Sequence, residues 1–566
     1  MSIDARARAV IETWNRLDGD RGMWKTHWQD CAEYLTPNRA DYILQRAAGV
    51  KRMRKLYDST APWALEQFAA GFHGLLTSPT LRWFSLRAAD DALNQDAEVQ
   101  RWMDDTSERM YALFNSPRHN FASQSQELYE DLGSIGTAVM AVLESPRNGI
   151  LFSTKHLREC VIAENEEDRV DQLTRRWQWT AKQAIQAWGD QCPDQIQKTY
   201  ETKPEEKFWF LHHVGPRMQR DETQSNWRNK AFESIYVAEA AGKVLSEGGF
   251  DEFPYIVPRF AKGTGETYGR SPGMTALPDI KMLNSMAKTV LQNAQQQVDP
   301  PLQLPDDAFL MPISVQPGAR NTYRMGSRDK VEPIQTGSNI PLGIEMLNTL
   351  RQQIMRVMMV DFMMMPSDMT DPLSAGKGIT ATYTLQQRDE KMRMLSPILA
   401  RAQAEFLGPL IDRTFAIMWR RSAAVGFGTG SMLARPPASL SGVSLAVDYV
   451  SPIAVAQRSS QLDGVQRLVQ SAMSIAQIDP TVIHTLDADA ILRLTAKDLN
   501  TPSLALRTPD QVAAIQQQAA QAQQAQAQAA QMQSLASTAK DGAGAVAQLA
   551  QVAQQNPGAA PQPIAA

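Results

Sequence analysis

Cysteine is scarce: Cys31, Cys160 and Cys192 are the only three in a chain of 566 residues. So few exclude a disulfide framework and point to synthesis in a reducing compartment. Long apolar runs are missing as well. No stretch of about 18 or more hydrophobic residues occurs, so no membrane span is expected. The opening MSIDARARAVIETW carries charges where a secretory signal would be apolar. Neither sign of charge is in surplus. Lys and Arg number 57 and Asp and Glu 61, a formal net charge of −4. A chain that clamps nucleic acid by bulk charge needs an excess of cations, so that mode is excluded. Hydrophobic residues at 43% and charged ones at 21% exclude a wholly disordered protein. At roughly 150 residues per domain the length allows about four units.

Methionine (26) and proline (32) are plentiful but unevenly placed. The methionines gather at Met355–Met369 and Met392–Met394, and the prolines separate helical tracts. Residues 1–270 read as an α+β unit, helices first and a mostly antiparallel sheet after. Val10, Ile11, Trp14 and Leu17 mark a helix face over Arg6–Leu17. Trp63–Leu76, Asp96–Phe114 and Gln124–Ile135 continue the helical pattern. Thr137–Glu144, Gly149–Thr154, Glu159–Ala163, Lys207–Val214, Glu233–Glu239 and Tyr255–Phe260 read as strands, interrupted by a helix at Ala181–Gly189.

Beyond Pro272 a long stripe appears: Leu277, Ile280, Leu283, Met286, Val290, Leu291, Ala294 and Val298. A second comprises Ile344, Leu347, Leu350, Ile354, Val357 and Met358. Between the two predicted helices lie about forty Pro- and Gly-rich residues, too many for a simple helix connection. The Met run follows, reading as an adaptable apolar surface next to the polar loop Ser367–Gly378. The tract Ile379–Arg421 contains Pro397 and Pro409, which predict kinks. Ser444–Val450 reads as a strand and Ser451–Ala505 as helices. The Ala/Gln-rich Pro509–Ala539 favours helix, and 541–566 has a disordered composition.

Chemical motifs are weak. Gly263, Gly265 and Gly269 imitate a dinucleotide turn, but Pro258 and Pro272 spoil the strand and helix that such a turn requires. Ala375–Gly378 lacks the first glycine of a phosphate loop, because position 371 is Asp. His156 and Cys160 stand four apart in a strand-like segment, a poor metal pair. His212 and His213 are expected as one buried and one exposed side chain of a strand. Glu164–Asp168 reads as a solvated loop, and Lys51–Lys55, the strongest basic cluster, as a charged surface loop. No catalytic, metal or cofactor residues are assigned, and no enzyme activity is expected.

Three separated segments carry a resemblance: LYDSTAPWALEQFAAGFHGLLTSPTLRWFSL (56–86), YGRSPGMTALPDIKMLN (268–284) and DYVSPIAVAQR (448–458). In this order they resemble the portal proteins of tailed bacteriophages, and more closely the head-to-tail connector family of short-tailed phages. The resemblance implies a mainly α portal fold with an α+β wing, closed into a ring of usually twelve subunits around a channel. It implies an N-terminal wing (1–272), stem helices (273–298 and 342–362), a clip (299–341) and a tunnel loop (363–378). The wing would resume over 379–450, followed by a crown (451–510) and an Ala/Gln tail (511–566) that extends it as a helical barrel or stays partly disordered. Lys377, Asp368, Asp371, Met364 and Met365 would face DNA in the channel, with Asp361 keeping that neighbourhood acidic. Arg320, Arg324, Arg328 and Lys330 would dock partners at the clip.

The implied role is genome packaging, retention and ejection at one capsid vertex of the virion, with assembly in the host cytoplasm. Implied partners are the terminase motor, tail adaptor and tail proteins, capsid and scaffolding proteins, and double-stranded DNA passing non-specifically. Two rivals remain at this point: a nucleotide-dependent enzyme using the 263–269 turn, and a non-viral helical scaffold.

Overall fold

The structure is a computed structural model. It describes residues 4–299, 302–303, 332–333, 340–363, 394–440, 445–449 and short pieces between 468 and 528, apart from a few isolated positions. Two compact units emerge: Met1–Leu93 with Trp102–Gln461, and Asn94–Arg101 with Leu462–Ala566. In the second unit the described parts of the tail include helical stretches at 515–519 and 521–524, as the alanine content favours.

The chain opens with α1 (Ala5–Asp20) and α2 (Gly22–Leu35), then α3 (Thr60–Leu76), β1 (Phe84–Ala88), α4 (Ala97–Asn115) and α5 (Phe121–Ile135). Asp4 caps α1 by accepting the Arg6 N–H at 3.0 Å. Ala7, Val10, Trp14 and Leu17, three and four apart, form its buried face. A hairpin of β2 (Val139–Ser145) and β3 (Gly149–Lys155) follows. Next come β4 (Cys160–Glu164), β5 (Val170–Thr180), the short helices α6 (Ala181–Trp188) and α7 (Asp194–Thr202), β6 (Lys207–Pro216), β7 (Phe232–Ala238) and β8 (Lys243–Phe250).

Strands β4 to β8 form a five-stranded antiparallel sheet in sequence order. Helix α1 covers one face, where Val161, Leu211, Ile235 and Val237 join its buried stripe. On the other face, Phe210, Trp177 and Leu245 pack with Ala181, Ala184 and Ile196 of the α6–α7 pair. Successive side chains of a strand point to opposite faces, so Phe210 and Leu211 enter different cores. The same double cover corrects the histidine expectation: His212 and His213 are both buried. Neutral groups hydrogen-bond both, and the Glu233 carboxylate stands 3.9 Å from His213 Nε2. His212 meets Tyr255 Oη at 2.7 Å and Ser234 Oγ at 3.0 Å, and His213 meets Thr174 Oγ1 at 2.8 Å.

Strand β9 (Tyr255–Ile256) pairs with β2. It is shorter than the expected Tyr255–Phe260, since Pro258 cannot donate to the ladder and only an isolated bridge from Arg259 to Thr137 continues it. The two-residue strands β10 (Ala261–Lys262) and β11 (Gly269–Arg270) enclose the glycine-rich turn as an antiparallel hairpin. Then come α8 (Pro272–Val298), the paired β12 (Leu302–Gln303) and β13 (Glu332–Pro333), α9 (Ile340–Val357) and α10 (Val360–Met363).

After residue 393, helix covers 394–402, a π-helical turn Gln403–Leu407 interrupts it, and α11 (Gly408–Ala424) continues. The expected irregularity therefore falls just before Pro409. Proline has no N–H and its ring crowds the carbonyl four residues back, that of Glu405, so the chain widens there into i→i−5 bonding. The Gly408 N–H accordingly reaches the Gln403 carbonyl. Finally β14 (Leu445–Tyr449) pairs antiparallel with β1. The chain thus returns after α11 to a strand that precedes α4.

Candidate assembly interface

Helix α8 starts where geometry leaves no latitude. Ser271 Oγ accepts the Met274 N–H at 2.9 Å and donates to the Ser134 carbonyl at 2.8 Å, and Pro272 occupies the first turn, where its missing N–H costs nothing. A Cβ on Gly273 would lie 2.5 Å from Leu35 Cδ1 and 2.7 Å from the Gly133 carbonyl oxygen. The first half of the helix is accordingly buried through Leu277, Ile280, Leu283 and Asn284. Its second half carries a half-buried row, Met286, Val290 and Ala294. On α9 the buried residues are Leu347, Leu350 and Ile354. At Gly343 a Cβ would stand 2.9 Å from Val290 Cγ2, so the two helices are in contact there.

The base of this antiparallel pair is held by the loop ahead of α3. Asn284 Oδ1 accepts the N–H groups of Tyr57 at 2.8 Å and Asp58 at 3.2 Å. Asp58 Oδ2 accepts Arg351 Nη2 at 2.8 Å and Nε at 3.1 Å, a two-pronged guanidinium contact. Burial acts to raise the Asp58 pKa, but Thr60 and Arg351 outweigh it and hold the carboxyl below its usual range. One residue from each helix is thereby fixed to one loop.

Beyond that clamp the hairpin exposes large apolar side chains: Leu291, Val298, Ile344 and Met346, from 47% for Met346 to 88% for Val298. Gln292, Gln295, Gln296, Gln352 and Gln353 are exposed beside them. Leu291, Val298 and Ile344 were expected within the packed stripes. Both stripes are wider than one contact face, so these three point outward. Apolar surface concentrated on a braced hairpin is the mark of an association surface.

Arg259, between β9 and β10, is only 4% exposed. Its Nη2 contacts Glu405 Oε1 at 3.0 Å and the Asp168 carbonyl at 2.9 Å, while Nη1 pairs with Glu164. The Arg259 backbone N–H also donates to Glu405 Oε2 at 2.9 Å. Lys262 Nζ joins Glu164 at 2.7 Å and Asp168 at 2.9 Å. Burial disfavours the charged guanidinium, but Glu405 and Glu164 more than offset it, so the Arg259 pKa is raised. The solvated-loop reading of 164–168 therefore fails for Glu164, which ends β4 facing two cations.

The hub depends on a close backbone approach. Gly136 has φ 78°, and a Cβ there would lie 2.6 Å from the Gly269 carbonyl oxygen. Gly269 donates its N–H to Thr137 Oγ1 at 2.7 Å. Gly269 thus serves backbone packing inside a β-hairpin, and the dinucleotide reading finds no support in this turn. A second ionic group anchors α11: Glu252 receives Arg413 at 2.5 Å and Arg420 at 2.6 Å.

The sequence-derived channel residues Lys377, Asp368, Asp371, Met364 and Met365 lie outside the described residues, as do Arg320, Arg324, Arg328 and Lys330. Asp361 is described and sits 3.9 Å from Arg356. Met358 is buried as a stripe residue, while Met363 packs inward, into the space left by Gly71 of α3, where an adaptable surface was expected. Flexible thioethers fill such irregular gaps. Among the described residues no group of three metal-ligating side chains converges, and all three cysteines are buried and free. The Arg259–Glu405 and Asp58–Arg351 pairs had no local signal in the sequence.

The family model described as "Bacteriophage head to tail connecting protein" matches residues 7–506. The "Probable portal protein" of Bordetella phage BPP-1 is 31% identical over 530 residues, 92% of each chain. The "Portal protein" of Salmonella phage epsilon15 is 28% identical over 519 residues, 90% of each chain. A chain of the structure titled "Virion of native gene transfer agent (GTA) particle" aligns with 69% of this chain and 96% of its own at 11% identity. Its TM-score is 0.29, a level at which it carries no structural argument. The family match over residues 7–506 leaves both the non-viral scaffold and the enzyme rival without support. On these matches the chain belongs to the bacteriophage head to tail connecting protein family.

Proposed function

We propose that this connector works as one subunit of a closed ring, of about twelve copies, through which the phage genome passes in both directions. The observation that carries the proposal is the braced α8–α9 hairpin with Leu291, Val298, Ile344 and Met346 exposed on it. Neighbouring copies would bury these side chains against different faces of one another, the heterologous contact from which rings close.

In this reading 273–298 and 342–362 are the stem, 1–272 and 379–450 the wing, and 451–510 the crown with 511–566 extending it. The clip (299–341) would dock the packaging motor and later the tail adaptor through Arg320, Arg324, Arg328 and Lys330. The tunnel loop (363–378) would touch DNA through Lys377, Met364 and Met365, with Asp368 and Asp371 keeping the contact weak. Twelve copies would carry about −48 formally at −4 each, a field that discourages DNA from adhering to the channel. Passage needs neither sequence readout nor tight phosphate binding. The ring would sit at one capsid vertex of the virion after assembly in the host cytoplasm, in contact with capsid, scaffolding and tail proteins. Its work is mechanical and needs no catalysis or cofactor.

Electron microscopy of the purified chain tests the proposal. Closed rings with a central hole are expected. A population of monomers and dimers at micromolar concentration would refute ring formation.

A further inference from the structure

The ring reading leaves the basic segment 51–55 without a task. Together with Glu33 and Arg46, Lys51, Arg52, Arg54 and Lys55 line a cavity of about 230 Å³. Five cations line it against two carboxylates, Glu33 in the lining and Asp41 beside Arg52. Glu33 is already engaged by Arg46 at 3.1 Å and by Lys55. Arg52 is held by Asp41 at 2.9 Å and by the Asn38 carbonyl. These contacts order three of the cations without neutralising the group. Lys51 and Arg54 are exposed, and among the described residues no carboxylate pairs with either. The segment is also fixed in place, since Tyr57, two residues on, is bonded to Asn284 at 2.8 Å.

A concentrated positive site on a chain of formal charge −4 is local in purpose, because bulk charge would repel the same ligand. The volume suits a tetrahedral oxyanion with its nearest waters. Guanidinium forks match phosphate oxygens, and lysine adds a mobile point charge. We propose that this cavity is a phosphate-binding site that takes either a phosphodiester of a nucleic-acid backbone or free phosphate. The proposal does not depend on the ring.

The test uses the full-length chain, a short labelled DNA duplex and inorganic phosphate, in the wild type and in Lys51→Gln/Arg54→Gln. Both side chains are exposed, so the melting temperature should not move. Loss of two phosphate contacts should weaken duplex binding by roughly tenfold or more. It should also flatten the log–log salt dependence by about 2. Lys51→Arg/Arg54→Lys, which preserves charge, should restore both. Weakening of the duplex alone assigns the site to a phosphodiester backbone, and weakening of inorganic phosphate assigns it to the free ion. Unchanged binding of both ligands, or no binding of either by the wild type, overturns the proposal.

Discussion

Glu405 meets Arg259 from 146 positions away in sequence, accepting both its guanidinium, at 3.0 Å, and its backbone N–H, at 2.9 Å. Glu405 stands in the single π-helical turn described in the chain, so the widening forced near Pro409 also aims this carboxylate. Glu405→Ala leaves a buried arginine with one carboxylate fewer. Removing a partner from such a pair costs roughly 3–5 kcal/mol. A clear drop in melting temperature is expected by differential scanning fluorimetry, and a variant as stable as the wild type would show that Arg259 is satisfied without it.

Gly136 offers a backbone test. With φ at 78° and only 2.6 Å between a would-be Cβ and the Gly269 oxygen, Gly136→Ala pays both for the left-handed conformation and for the clash. A loss of about 2 kcal/mol or more is expected, read as reduced melting temperature and soluble yield. Gly22→Ala, with nothing within 4 Å of the added methyl, serves as the tolerant control.

The buried histidines set a pH dependence. Burial pushes His213 down to about 4 from an ordinary 6.5, and His156 likewise to about 4. Both folded pKa values are depressed, so unfolding takes up protons in acid. Their stabilising contribution is complete above pH 6.5 and falls away as pH drops from there towards 4. His213→Gln should retain a partner for Thr174 while losing about 2 kcal/mol of acid sensitivity between pH 7 and pH 5. Parallel melting curves at the two pH values measure this. An identical pH response in variant and wild type would contradict it.

Asp131 should act in the opposite direction. Complete burial raises its pKa to about 7, although Arg39 at 3.1 Å pulls downward. A raised acid contributes most below the unfolded value, near 4, and its contribution is lost as pH climbs through 7. Asp131→Asn should therefore soften the decline in stability between pH 4 and pH 7, as denaturant titrations at several pH values would reveal.

Helices α1 and α9 were legible because one face of each is buried, marked by the spacing of Val10, Trp14 and Leu17 and of Leu347, Leu350 and Ile354. Helices α2 and α7 were not read from the sequence. Strand β5 escaped notice. Its sheet is covered on both sides, so no clean alternation survives, and Arg175 and Arg176 interrupt the apolar positions. Strand β8 was hidden by Gly248 and Gly249, which argue against a strand. Gly249 is there because a Cβ would meet the Trp227 carbonyl at 2.5 Å. The pairing of β1 with β14 and the Arg259 hub join distant segments, and local patterning holds no record of such contacts. Leu291 and Ile344 belong to helical stripes as good as any in the core. Only the structure separates the residues one chain buries from those it leaves exposed.

Mass photometry of Leu291→Asp/Ile344→Asp bears most directly on the hairpin as the ring-forming surface. Both residues are exposed, at 52% and 48%, so the subunit should keep its helix content by circular dichroism. The wild type is expected as a large closed oligomer, and the double variant as a 62.9 kDa monomer. A variant that assembles to the same mass as the wild type would contradict the account.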